Sequence, residues 1–300
     1  MTRLMRGYAG GMEFDAPFER LSDDAARTIL ASLWRLEPQA LTRLDTERDD
    51  SFRVTTEGAE YLLKVAHPGD DPLYVNLQTA ALSFAAEESG LPLQRLLLTA
   101  EGDIEPEVDG RVARLLTWLS GEPDHPIDGR LVGQTLGRLN DALSTFDHPA
   151  AHRDLVWDVA HLDLVRDLQA RFPSDEVAEV FARWDALDLS GLPRQVIHND
   201  FHPGNVLTEG ERITGILDFG DVVYTARVVD LAVALCYFGW DGELIAGFET
   251  AVPLRDDERA ALPVLVAARY AQRILLNQLL GRYDPSTQLV ALRDHLERIR

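Results

Sequence analysis

Residues 196–220 constrain this chain more than any other stretch. They run Val196-Ile197-His198-Asn199-Asp200-Phe201-His202-Pro203-Gly204-Asn205-Val206-Leu207 and, beyond a turn at Glu209-Gly210, end on Ile213 to Leu217 and Asp218-Phe219-Gly220. Gln195 to Ile197 reads as a strand that runs into a polar loop. Val206-Leu207 and Ile213 to Leu217 flank the turn as a hairpin. The result is strand, loop, hairpin and loop, with Asp200, Asn205 and Asp218 where the strands stop. Polar side chains held at strand ends by a rigid scaffold are placed to bind or to catalyse.

The spacing resembles the catalytic loop of protein kinases, H-R-D-x-x-x-x-N followed by D-F-G. His198 and Asp200 match the H and D, Asn205 falls five residues after Asp200, and Asp218-Phe219-Gly220 spells D-F-G. Asn199 replaces the usual Arg, and His202 stands where many protein kinases carry Lys. His-x-Asp-x-His-Pro-x-Asn followed by Ile-x-Asp-Phe-Gly-Asp resembles the aminoglycoside phosphotransferase family, which includes kinases of choline, homoserine, hydroxylysine and methylthioribose. The resemblance implies a two-lobed, protein-kinase-like α+β fold, with a small antiparallel-sheet N-lobe and a helix-rich C-lobe. It implies transfer of a γ-phosphoryl group from ATP or GTP, with Mg2+, to a hydroxyl of a small molecule such as an amino alcohol, a hydroxylated amino acid or an aminoglycoside. Asp200 would orient the attacking hydroxyl, Asn205 and Asp218 would hold the metal, His202 would lie near the transferred group, and His198 would support the loop.

Two other readings stay open. His198, Asp200 and His202 suit zinc or iron in a hydrolase, although that leaves Asn205 and Asp218-Phe219-Gly220 without a role. A nucleotide-binding module that has lost catalysis is the second.

Composition narrows the partners. Hydrophobic content of 46% supplies a core, and no run of 18 apolar residues indicates a membrane span. The net charge of −21 argues against nucleic acid and anionic membrane surfaces. It suits a cationic substrate or a solvated acidic surface. A single cysteine, Cys236, excludes an internal disulfide, and the chain is expected in the cytoplasm. The sequence sets no oligomeric state.

Residues 1–20 show no period and are expected to be mobile. Ser22 should cap a helix over residues 23–37, and strands are expected within residues 40–65. The turn from Asp45 to Ser51 has no glycine, so a G-x-G-x-x-G phosphate loop is absent; Ser51 and backbone N–H groups remain candidates for phosphate contact. Glu47-Arg48-Asp49 resembles the corresponding loop of hydroxylysine-kinase-like members. Lys64 is the one lysine among 29 basic residues and sits in an apolar strand. By resemblance to the V-A-I-K strand it would reach the α/β phosphates. In residues 72–90, an expected helix, the position where a kinase glutamate would pair with the lysine holds Gln78.

Residues 92–98 and 111–119 read as strands joined through Asp109-Gly110. Leu116, Thr117 and Trp118 then resemble the linker whose backbone contacts adenine, which divides the chain into a nucleotide-binding lobe (1–120) and a catalytic, substrate-binding lobe (121–300). Helices are expected over 130–146, 157–172, 174–187, 256–281 and 287–300. Trp157-Asp158, Asp221 and Trp240-Asp241 are candidate substrate contacts. Asp230, at the start of an apolar helix, is expected to brace the catalytic loop.

Overall fold

The computed structural model describes residues 18–46, 48–282 and 284–300. Of residues 1–20, expected to be mobile, residues 1–17 lie outside the described residues, as does the resemblance noted at Glu47; Arg20 is tied to the carbonyls of Arg48 and Asp49. The Ser22 hydroxyl accepts the Ala25 N–H and starts helix α1 (Asp23–Trp34). The strands β1 (Ala40–Leu44), β2 (Asp50–Thr55) and β3 (Glu60–Val65) follow, then helix α2 (Pro72–Glu88) and strands β4 (Leu96–Leu97), β5 (Glu107–Val108) and β6 (Arg111–Thr117). They form an antiparallel sheet in the order β1-β2-β3-β6-β4, with β5 also on β6.

Strand alternation decides what this sheet buries. Phe52, Val54, Leu63, Val65, Ala113 and Leu115 pack on Ala26, Ile29, Leu30 and Trp34 of α1. The intervening residues Ser51, Lys64 and Arg114 are direct cross-strand neighbours on the other face. Helix α2 lies over that face, where Arg114 Nη1 donates to Gln78 Oε1 at 3.1 Å.

The strand expected over 92–98 shrinks to Leu96–Leu97, because Leu93 turns away to bridge Ile216. The Asp109-Gly110 turn, with φ of 50° and 76°, instead closes Val108 against Arg111.

The remaining chain supplies helices α3 (Gly129–Ala142), α4 (Leu168–Arg171) and α5 (Asp175–Trp184), then strands β7 (Arg194–Ile197), β8 (Val206–Glu209), β9 (Arg212–Ile216) and β10 (Val223–Ala226). Helices α6 (Val228–Phe238), α7 (Gly242–Phe248), α8 (Asp256–Leu280) and α9 (Ser286–Arg298) complete it. One buried apolar cluster joins α3, α5, α6, α8 and the β7–β10 region. Helices α3 and α7 touch backbone to backbone: a Cβ on Gly133 would stand 1.9 Å from the Leu244 carbonyl oxygen, and one on Gly247 2.2 Å from that of Arg130. Glycine is therefore required at this crossing.

The helix expected over 157–172 is broken. Asp158 caps a 3-10 segment, Val159–Val165, that kinks at His161, and only Leu168–Arg171 is α-helical. Pro173 ends the run by disfavouring the α conformation at Phe172. Among the described residues, no helix is long and apolar enough to cross a membrane.

Residues 120–124 run along the β8–β9 hairpin. The Thr214 hydroxyl donates to the Ser120 carbonyl at 2.7 Å, and Glu122 and Thr208 exchange backbone hydrogen bonds at 2.9 and 3.0 Å. Gly121 has φ of +137°, and a Cβ there would stand 2.3 Å from Thr214 Oγ1.

Candidate active site

The loop after β7 is held from behind by Asp230. This fully buried carboxylate accepts the N–H groups of His198 at 3.3 Å and Asn199 at 2.7 Å, and the Asn140 amide at 3.2 Å. Burial pushes the Asp230 carboxyl above its ordinary value; nearby His198 and the donated hydrogen bonds oppose that. Asn199 has φ of +65°. Asn tolerates the left-handed region better than the Arg that protein kinases carry there. His198 Nδ1 accepts the Asp200 N–H at 3.2 Å, and Nε2 lies 3.1 Å from the Leu217 carbonyl oxygen. The neutral tautomer protonated at Nε2 satisfies both. His198 also stands edge-on to Phe219 at 4.9 Å. It ties the two halves of the motif together, and both its nitrogens are engaged, which removes it as a metal ligand.

Asp200 faces the cleft with two kinds of partner. Asn205 Nδ2 donates to its Oδ2 at 3.0 Å, and His202 Nε2 lies 3.5 Å from the same oxygen. Arg269 Nη2 lies 3.5 Å from Oδ1. Burial is the largest single influence on Asp200 and would raise its pKa; His202, Arg269 and His198 together outweigh it and hold the carboxyl below its usual range. His202 stacks on Tyr237 at 4.9 Å and caps the turn Pro203–Asn205 by accepting the Gly204 N–H.

Asp218, also left-handed at φ of +60°, accepts the Gly220 N–H at 3.0 Å. With Asn205 donating through nitrogen to Asp200, its amide oxygen is directed the other way. Asp218 and this oxygen are hard donors of the kind magnesium or calcium takes. Asp221 completes the acidic side. Burial, then the charges of Asp200 and Asp218, push its carboxyl up to about 7. Such crowding of carboxylates is what a divalent cation relieves, so the donor set fits one.

These groups line one cleft of about 620 Å3. Lys64 lies in it, with Nζ 3.2 Å from Asp49. Arg153, Arg269, Arg273 and Arg282 also line it, alongside Tyr74, Trp157 and Tyr237. The Arg269 guanidinium is buried, donates to the Trp157 carbonyl at 2.7 Å, and stands over the Trp157 and Tyr237 rings. Arg153 donates to the carbonyls of Gly220 and Val222 at 3.1 and 3.2 Å and stands over the Tyr74 ring. The Nε atoms of both Arg153 and Arg269 are buried without a hydrogen-bond partner. The sequence reading missed this arginine wall. Its signal was present: Arg269 and Arg273, four apart, interrupt an apolar run from Leu262 to Leu276, where a charge needs a partner.

Lys64, Trp157, Asp200, His202, Asn205, Asp218 and Asp221 thus converge, together with Gln78 at the cleft edge. Gln78 meets Arg114 rather than Lys64. Asp158 does not line the cleft. It is fully buried, and its Oδ1 is taken by the Ala160 N–H and the Thr225 hydroxyl. Trp240 packs near His295 beside α8 and α9, and Asp241 caps α7 against Gly129. Ser51 is buried beside Lys64 within the sheet, so its hydroxyl does not line the cleft. Leu116 is buried and paired with Leu62 and Leu96 on either side; the Thr117 hydroxyl accepts the Arg95 N–H, its N–H donates to the Arg95 carbonyl and its carbonyl accepts from Gln94, and neither residue lines the cleft. The Trp118 ring faces Arg53 in a separate groove.

Comparison with known proteins agrees with this geometry. The model of the APH phosphotransferase enzyme family matches residues 40–263. Hydroxylysine kinase of Bos taurus is 26% identical over 306 residues, covering 85% of this chain and 81% of its own. Homoserine kinase of Gluconacetobacter diazotrophicus is 30% identical over 320 residues, covering 94% of each. The solved structure of an amicoumacin kinase in complex with AMP-PNP, Ca2+ and Ami superposes with a TM-score of 0.69 at 17% identity, over 92% of this chain and 93% of that one. That likeness establishes the kinase-like fold, and the sequence matches establish the chemistry class. The chain belongs to the APH phosphotransferase enzyme family and is a small-molecule kinase that phosphorylates a hydroxyl group.

Proposed function

We propose that this kinase phosphorylates a hydroxylated amino acid, using ATP or GTP and Mg2+, in the cytoplasm where those donors are held. The observation that carries the reading is that five arginines, Arg48, Arg153, Arg269, Arg273 and Arg282, line one cleft with Asp200 and Asp221. An acidic chain suggests a cationic substrate, but a cleft lined this way favours a zwitterion. Guanidinium groups take a carboxylate. Asp221, with no hydrogen bond or ion pair to another described residue, takes an amine. A polycationic aminoglycoside would meet five guanidinium groups. The names of the hydroxylysine and homoserine kinases agree with this choice.

In this reading residues 1–120 form the nucleotide-binding lobe and 121–300 the catalytic one. Lys64 binds phosphate oxygens. Asp200, kept ionised by His202 and Arg269, accepts a hydrogen bond from the substrate hydroxyl and takes its proton as the new O–P bond forms and the bond from the γ-phosphorus to the β,γ-bridging oxygen breaks, releasing the nucleoside diphosphate. Asn205 and Asp218 would hold Mg2+, which draws charge off the phosphates when bound. His202, stacked on Tyr237, stands beside Asp200 to meet charge on the transferred group. Most of the rate comes from positioning and charge, not covalent chemistry.

Steady-state assays with hydroxylated amino acids, their decarboxylated amino alcohols, sugars and aminoglycosides, each with ATP and GTP, test this. The highest kcat/KM is expected for a hydroxylated amino acid. A sugar or an aminoglycoside as best substrate would contradict it.

A further inference from the structure

We propose that Asp49 is the carboxylate that positions Lys64, taking the part that a helix glutamate plays in protein kinases. The inference rests on Lys64 being the phosphate-binding lysine. Asp49 is the only carboxylate within 4 Å of Lys64 among the described residues, with Oδ2 at 3.2 Å from Nζ. The same oxygen lies 3.5 Å from Arg114 Nη2. The helix position that would hold a glutamate is Gln78, and it is engaged by Arg114. Gln78, Arg114, Asp49 and Lys64 therefore form a chain of contacts from α2 to the cleft. Arg114 is the link that lets a neutral amide on the helix take part.

Asp49 is held in place, as a positioning group must be. Its carbonyl oxygen accepts from Arg20 at 2.9 Å and from the Thr46 hydroxyl at 2.6 Å. The next residue, Asp50, is fully buried and is fixed by Arg43 and Arg111, each at 2.8 Å. A single carboxylate between two cations leaves net positive charge facing the phosphates. Burial alone would raise the Asp49 carboxyl; Lys64 and Arg114 outweigh it, so the group stays ionised.

The rival role is a plug that nucleotide must displace from Lys64, and kinetics separate the two. In Asp49→Asn, kcat is expected to fall roughly 30-fold while the nucleotide KM stays within about threefold. Asp49→Glu should recover part of the loss. A parental kcat with a lowered nucleotide KM would overturn the proposal in favour of the plug. A second readout is labelling of Lys64, the chain's one side-chain primary amine, followed by peptide mass mapping without nucleotide. Removing its counter-charge leaves Arg114 as a like-charged neighbour, so Asp49→Asn should label roughly threefold faster or more at pH 8. The surface control Glu57→Gln should label at the parental rate. Equal rates in parent and Asp49→Asn would overturn the pairing. If the amide variant does not fold, Asp49→Glu carries the test: slow labelling with reduced kcat supports positioning, and parental kcat with tighter nucleotide binding overturns it. The labelling needs no turnover, so failure of the pairing and failure of the kinase reading are told apart.

Discussion

The Asp230 carboxylate on α6 accepts the Asn199 N–H at 2.7 Å, fixing a left-handed backbone directly before Asp200. With the second bond to His198, it satisfies two buried donors that strand pairing does not reach. Asp230→Ala is expected to lose about 2–4 kcal/mol of stability, since it leaves those donors unpaired. It should lower kcat by roughly tenfold or more even where the variant is folded. Asp230→Asn, which keeps one acceptor, should lose less of both. Thermal melts alongside kcat check this; a variant unchanged in kcat would show that Asp200 is placed without the brace.

Removing Asp218 should act on nucleotide before chemistry. Asp218→Ala is expected to weaken metal-nucleotide binding roughly tenfold and to raise the Mg2+ concentration needed for half-maximal rate. Titration calorimetry and a Mg2+ dependence measure both. An unchanged Mg2+ requirement would remove Asp218 from the metal site.

Arg153 tests the arginine wall. Arg153→Met should raise the KM for a hydroxylated amino acid roughly tenfold, and that for the matching amino alcohol less than threefold. Because Arg153 also holds the Gly220 and Val222 carbonyls, the amino alcohol reports any damage to that loop. Equal effects on both substrates would assign Arg153 to the loop alone.

Asp221 gives a pH signature. Its carboxyl, ordinarily near 3.8, is pushed up to about 7 by burial and by Asp200 and Asp218. Between those values the folded chain binds more protons than the unfolded one. The contribution of Asp221 to the stability of the nucleotide- and metal-free protein therefore falls as pH rises from about 4 to about 7, then levels off. Asp221→Asn removes this loss. At pH 8 it should raise stability over the parent by on the order of a few kcal/mol, seen as a higher thermal midpoint, and far less at pH 4. The same gain at both values would separate the effect from ionisation.

What the sequence made legible was local. His198, Asp200, Asn205 and Asp218 lie in the loops on either side of one hairpin, so spacing alone brought them together. Asp230 was readable as a buried acid at a helix start, a position that asks for backbone donors. Asp158 and Asp241 lie away from the cleft because of contacts the sequence does not display. Asp158 spends its carboxylate on Ala160 and Thr225, the latter 67 residues away. Asp241 caps a helix pressed on α3, at a crossing whose glycines looked unremarkable one by one. Arg269 reaches Asp200 across 69 residues, from a helix to which the sequence assigned no role in the site. Acidic composition pointed to a cationic substrate because net charge averages the surface and says little about one cleft.

The central claim is transfer of a phosphoryl group to a substrate hydroxyl by way of Asp200. The direct measurement is a 31P NMR time course of the parent and Asp200→Asn, with Mg2+, ATP and a hydroxylated amino acid. The parent should form a phosphomonoester in step with ADP. Asp200→Asn should lose the product signal by roughly a thousandfold in rate while still binding nucleotide. Inorganic phosphate as the sole product would indicate a hydrolase, and no turnover with any hydroxyl compound an inactive module. Asp200→Asn turnover within tenfold of the parent would contradict the account outright.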